Sequence, residues 1–355
     1  MSREYRKETE NKAKEKISNM LSLLPPYVSL YNNHISLSTS PKTRLGYIGD
    51  IKTFFEYLID ACDKDYESIK EIPLSQLESL NLDFFNAYLN YLTYYEKDGV
   101  QRENGNSAIR RKLSSLRGFY SYLYINDMVS ATPINKVSIP KVNKKNLIRM
   151  DNNETKDYIE TVEQGLGKLS KKETAYHEKY GTRDTAIMHL LLSTGIRVSE
   201  LVGLDINDLD LKRSCIKVIR KGNKEDIVYF NDNTVEIMDY YLLYRKKLDA
   251  LEGHENALFL SSQRKRLSVR SVEKLVEKYS KRTESLGLKH ITPHKLRSTM
   301  GTELYNRTGD LYLVAEVLGH ESVETTKKHY TEVTDQRKYD KRNILLTDFS
   351  NNKDK

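Results

Sequence analysis

The chain has 355 residues, enough for two domains with separate cores, and its 58 Lys and Arg against 50 Asp and Glu give a net charge of +8. No apolar run is long enough to span a bilayer, and the opening MSREYRKETENKAKEK is too charged for a signal peptide, so a cytoplasmic protein is expected and a membrane protein is not. Cys62 and Cys215 fit no zinc or disulfide spacing, which points to a reduced compartment.

Residues 1–20 read as a polar arm, helical or frayed, that Pro25-Pro26 ends. Ser40-Pro41 then opens a helix in which Tyr47, Ile51, Phe54, Phe55 and Leu58 recur at helical intervals. Most of these aromatics are expected in a core, while Thr43 and Tyr47 near the helix start are assigned to DNA contact. Two further helices are expected, from Leu82 to Tyr95 and from Asn106 to Tyr124. In the second, Ile109, Leu113, Leu116, Phe119, Tyr120 and Leu123 form the apolar stripe. Arg110, Arg111, Lys112, Ser114, Ser115 and Arg117 lie mostly off it, as a basic, hydroxyl-bearing surface suited to phosphates.

Charge is uneven along the chain: residues 101–150 hold ten Lys or Arg and two acids, leaving 48 of each sign elsewhere. A solvated face or linker has this composition, and so does a DNA-backbone contact. Pro133 and Pro140 bracket ATPINKVSIPKVNKKN, which reads as extended and basic, and Lys141, Lys144 and Lys145 are placed to follow a phosphate backbone.

Beyond it, TRDTAIMHLLLSTGIRVSEL predicts an almost wholly apolar helix from Asp184 to Ser193, a break at Gly195 and a new helix opened by Arg197, with Glu200 on the same edge. CIKVIR and DIVYF, joined by KGNKE, predict a hairpin with Lys221 at the start of its turn. Such a lysine is either a solvated charge or a mobile proton donor. Helices from Thr234 to Leu248 and through SVEKLVEKYSKRT follow, separated by an extended ALFLS.

From Thr292 to Tyr330 the chain reads TPHKLRSTMGTELYNRTGDLYLVAEVLGHESVETTKKHY. Thr292 is a good N-cap and Pro293 suits the first helical position, so His294 and Arg297 share one face. A shorter helix from Leu311 to Leu318 stops at Gly319, before His320. A guanidinium grips phosphate, an imidazole moves protons near neutral pH and a phenol can become a covalent nucleophile, which together suggest chemistry on a phosphodiester. A final polar helix through DQRKYDKRNILL and a disordered tail close the chain.

Arg197 in STGIRVSEL, Lys221 in RKGNKED, His294 and Arg297 in TPHKLR, His320 in VLGHES and Tyr330 in TTKKHY occur in one order over more than a hundred residues. This resembles the tyrosine recombinases, the family of phage integrases and Xer proteins, and RRKLSSLRGFYSYL is similar to their core-binding domain. SLLPPYVSLY and SVEKLVEKYS are most similar to the Xer-type members that resolve chromosome dimers. The sequence departs from the family in carrying Ser298 where a second His usually follows the arginine, and in a His320 to Tyr330 interval one residue longer.

The resemblance implies a mainly α fold with a small β-hairpin or sheet. It implies a helical core-binding domain over residues 21–138, a basic linker at 139–150, a catalytic domain at 151–346 and a tail at 347–355, the two domains forming a C-shaped clamp. It implies catalysis by Arg197, Lys221, His294, Arg297, His320 and the nucleophile Tyr330, with neither cofactor nor metal. The implied partners are double-stranded DNA, as two duplexes in a synapse, a homotetramer on that DNA, and a DNA translocase in the cell. Ile344, Leu345, Leu346 and Phe349 would dock on a neighbouring protomer or cap their own. Three other readings stay open: an integrase of a mobile element, a type IB topoisomerase-like enzyme, and a non-catalytic DNA-binding regulator.

Overall fold

The computed structural model describes residues 3–62, 66–97, 99–141, 148–165, 170–320, 322–324, 326 and 327. The chain divides into two units, residues 7–145 and residues 146–355 with 1–6. Thirteen α-helices and five short strands lie among the described residues, and none of these helices is long and apolar enough to cross a membrane. Tyr330, Lys144, Lys145 and the apolar residues of the tail fall outside the described residues.

The first unit is helical: α1 (Arg3–Leu21) from Lys7 onward, α2 (Pro26–Ile35), α3 (Pro41–Ala61), α4 (Leu74–Glu78), α5 (Leu82–Thr93) and α6 (Asn106–Ile125). Ser40 caps α3 by accepting from the Thr43 amide at 3.3 Å, and Pro41 sits where a missing amide hydrogen costs nothing. The apolar stripes of α3 and α6 then face each other. Ile51, Phe54, Phe55 and Leu58 bury against Leu113, Leu116, Phe119 and Tyr120, with Phe85 and Tyr88 from α5. Each such side chain contributes roughly 1.5–3 kcal/mol on burial. Ala13 and Ile17 of α1 are also buried, so the expected polar arm is a helix with an apolar edge.

Two features of this unit depart from the sequence reading. A hairpin of β1 (Tyr94–Lys97) and β2 (Val100–Glu103) follows α5 where helix was expected to run to Tyr95; Gly99, at φ +71°, supplies the left-handed residue of its turn. Pro133–Lys136, expected to be extended, forms a 3-10 turn with Ile134 and Val137 buried against the helices.

The second unit contains α7 (Asn152–Gln164), α8 (Lys171–Thr194), α9 (Val198–Val202), β3 (Leu209–Asp210), β4 (Cys215–Ile219), β5 (Glu225–Tyr229), α10 (Asp232–Arg245), α11 (Val269–Ser280), α12 (Pro293–Thr308) and α13 (Leu311–Leu318). The central helix α8 packs on α7, α10 and α12 and buries Ala186, Ile187, Met188, Leu190 and Leu191. It begins 13 residues before the expected Asp184, because the Ser170 and Glu173 capping box starts it in a polar stretch with no apolar rhythm. The sheet is antiparallel in the order β3-β4-β5, its hairpin registering Cys215 with Tyr229 and Ile219 with Glu225. The third strand, β3, was not expected.

Candidate active site

Thr292 caps α12 by accepting from the Lys295 amide at 3.4 Å, so His294 and Arg297 stand one turn apart at the helix start. His294 is exposed and Arg297 is 5% exposed. The Arg297 guanidinium donates through Nη1 to the Gly195 carbonyl at 2.5 Å and through Nη2 to the Leu318 carbonyl. Ser298, where the family usually has histidine, is buried and donates to the His294 carbonyl at 3.0 Å, staying within its own helix.

Arg197 stands at the N-cap of α9. Its backbone amide donates to Glu200 Oε2 at 2.8 Å, its Nη1 pairs with Glu200 Oε1 at 2.9 Å and its Nη2 donates to the Gly319 carbonyl at 3.1 Å. A third arginine, Arg220 at the end of β4, reaches the same place: Nη2 to the Val317 carbonyl at 2.9 Å and Nη1 to the Leu318 carbonyl at 3.4 Å.

Arg197, Arg220 and Arg297 therefore converge on three successive carbonyls at the C-terminal end of α13. These carbonyls have no partner within their helix, and the dipole places negative partial charge there, so cations are stabilised at that end. His320 follows directly, its backbone amide held by the Ala315 carbonyl at 2.9 Å and its Nδ1 2.7 Å from the hydroxyl of the buried Thr326. Two carboxylates enter the cluster, Glu200 and Asp226, the latter 2.9 Å from Arg220 Nε. Three guanidinium groups against two carboxylates leave the site positive, which suits a phosphate.

The structure thus brings Arg197, Arg297 and His320 together, with His294 on the first turn of the same helix as Arg297. Lys221 begins the 3-10 turn Lys221–Asn223, next in the chain to Arg220. Arg220 and Asp226 were missed in the sequence. The signal was there: Ile216 and Val218 point inward from β4, and Arg220 holds the next inward position, where a charge implies a buried partner.

The residues expected to contact DNA separate into two groups. Thr43, Arg110 and Lys141 are exposed, Tyr47 is half-buried, and Arg111 is half-exposed while pairing with Asp50. Lys112 and Ser115 are a correction, since both are buried. Their partner is also Asp50, 3% exposed, with Lys112 Nζ at 3.4 Å and Ser115 Oγ at 2.8 Å. A carboxylate sunk between two helices needs those donors, so Lys112 serves the fold. Arg117 is half-buried and donates to the carbonyls of Ile134, Asn135 and Val137.

Comparison with known proteins gives the family and the fold. Residues 150–337 match the phage integrase family. The chain is 34% identical to tyrosine recombinase XerS of Streptococcus thermophilus, an alignment covering 91% of this chain and 96% of that protein. It shares its fold with XerH site-specific recombinase bound to palindromic difH substrate (TM-score 0.61, 22% identity, 86% of this chain and 81% of that one). A transposon integrase in complex with circular intermediate DNA has the same fold (TM-score 0.61, 18% identity, 86% and 95%). With a family match over more than half its length and a relative aligned over nearly all of it, the chain belongs to the phage integrase family: it is a tyrosine recombinase, an enzyme of DNA strand exchange.

Proposed function

We propose that the chain cuts and rejoins DNA at a dif-like site through a 3′-phosphotyrosyl link to Tyr330, and so resolves chromosome dimers in the cytoplasm during cell division. The observation that carries this reading is the convergence of Arg197 and Arg297 on consecutive carbonyls beside His320. Kinship with XerS over 91% of the chain favours the chromosomal role over the integrase role.

In this reading Arg197 and Arg297 hold the two non-bridging oxygens of the scissile phosphate and stabilise the charge of the five-coordinate state. A free phenol has a pKa of about 10, so Tyr330 needs His294 to take its proton as the phenolic oxygen attacks phosphorus. His320 donates to the same phosphate. The bond from phosphorus to the 5′-oxygen breaks, and Lys221 protonates that oxygen as it leaves. One phosphodiester has been exchanged for another, so the 5′-hydroxyl of a partner strand can reverse the step without ATP. Four protomers on two duplexes would carry out the paired exchanges, with a translocase bringing the sites together. Thr43, Tyr47, Arg110, Arg111 and Lys141 are the proposed backbone contacts among the described residues.

The test is resolution of a plasmid dimer carrying two directly repeated dif-like sites. Wild-type protein should yield monomers, and Arg197→Ala and Tyr330→Phe should not. Recombination confined to the attachment sites of a mobile element would overturn the chromosomal role.

A further inference from the structure

Arg220 is 7% exposed and joins three elements through one planar group. Within the hairpin, its amide donates to the Lys224 carbonyl at 2.8 Å, closing the turn, and its Nε meets Asp226 Oδ2 on β5 at 2.9 Å. Toward α9, Nη1 lies 3.2 Å from Glu200 Oε2, the carboxylate whose other oxygen holds Arg197. Toward α13, Nη1 and Nη2 hold the Leu318 and Val317 carbonyls. The fit against α13 is tight. Gly319 has φ +59°, and a Cβ there would stand 2.7 Å from Arg220 Nε.

β4 anchors the hairpin through apolar packing, burying Cys215, Ile216, Val218 and Ile219, whereas β5, on the far side of the turn, buries Val228 and leaves Glu225 and Tyr229 exposed. Among the described residues, Arg220 is the side chain whose polar bonds join the end of β4, next to the turn that begins at Lys221, to the helix end that carries His320. A lysine in its place would keep the charge but lose the fork that spans three elements.

We propose that Arg220 is a positioning residue for leaving-group protonation: it sets the register of the hairpin so that Lys221 meets the departing 5′-oxygen while Arg197, Arg297 and His320 hold the phosphate. This rests on the assignment of Lys221 as general acid. Its consequence is chemical rather than merely structural. Loss of Arg220 should slow only the step that needs a proton on the leaving atom.

The experiment measures single-turnover cleavage of a nicked dif-like duplex whose scissile 5′-bridging atom is oxygen, or sulfur in a parallel substrate. A thiol, with a pKa of about 8.5, leaves without a proton donor where an alcohol does not. Wild type, Arg220→Ala, Arg220→Lys and Lys221→Ala are compared, each with its melting temperature. Both Arg220 variants should lose about 100-fold on the oxygen substrate, the lower end of a general-acid contribution, and return to within about 3-fold of wild type on sulfur.

Equal losses on both substrates, or no loss on oxygen, would overturn the proposal. If Arg220→Ala does not fold, Arg220→Lys decides it on the same readout. Rescue of Lys221→Ala without rescue of either Arg220 variant overturns the role of Arg220 alone, whereas failure to rescue Lys221→Ala overturns the general-acid reading beneath it.

Discussion

Glu200 is 3% exposed and holds the Arg197 guanidinium with one oxygen and the Arg220 guanidinium with the other, so two cations of the site share this carboxylate, Arg220 having Asp226 as well. Removing it takes a charged hydrogen-bond partner from both arginines, at a cost of about 1–3 kcal/mol, because Arg197 is partly exposed and Arg220 keeps Asp226. Glu200→Gln is thus expected to lower the melting temperature and to reduce cleavage, read by thermal unfolding and by denaturing electrophoresis. Asp50 poses the same problem in the other unit and separates two neighbouring cations on α6. Lys112→Ala should destabilise the fold by about 1–3 kcal/mol and change DNA affinity little at matched folding. Arg110→Ala should leave the melting temperature unchanged while reducing the salt dependence of DNA binding by about one counterion. The two arginines expected to hold phosphate were legible in the sequence because each stands in a short motif beside a helix start. Lys112 was misread because its partner lies 62 residues away, beyond the reach of a periodicity argument.

At the scale of elements, caps and apolar rhythm made most helices legible: Ser40 for α3, Thr292 for α12 and Gly319 after α13 all stand where the sequence places them. The polar half of α8 and the strand β3 have no such rhythm, and the β1–β2 hairpin exposes most of its residues, so nothing in their patterning announced them. Gly319 and Gly222 test what the active-site ends require. Both have positive φ, +59° and +77°, so alanine at either carries a similar backbone cost of about 1–2 kcal/mol. Only at Gly319 does the new Cβ strike Arg220, with open space around Gly222. Gly319→Ala is expected to slow cleavage at least 10-fold more than Gly222→Ala at equal melting temperature. Equal rates would show that the contact between Arg220 and α13 has no part in the reaction.

Over the whole molecule, each unit has its own core, and both cores are rich in buried tyrosine. Burial pushes the Tyr31 phenol up to about 12, with Tyr47 adding to the rise, and moves Tyr27, Tyr88, Tyr120, Tyr158 and Tyr241 upward as well. A folded pKa above the unfolded value of about 10 means that the unfolded chain releases its proton first. Stability from Tyr31 is then complete below pH about 10 and is lost as pH rises toward 12. The melting temperature should fall steeply across that window, and a share of the tyrosinate absorbance, that of the buried phenols, should appear only on unfolding; the full tyrosinate absorbance of the chain before unfolding would contradict the burial.

Tyr330 is the proposed nucleophile toward DNA, with this constellation holding the phosphate it attacks. The direct measurement is incubation of the purified chain, and of Tyr330→Phe, with a nicked suicide duplex bearing a dif-like site in the presence of a chelator, followed by denaturing electrophoresis. A covalent adduct in wild type alone is the expected result, whereas an adduct that survives in Tyr330→Phe would contradict the assignment.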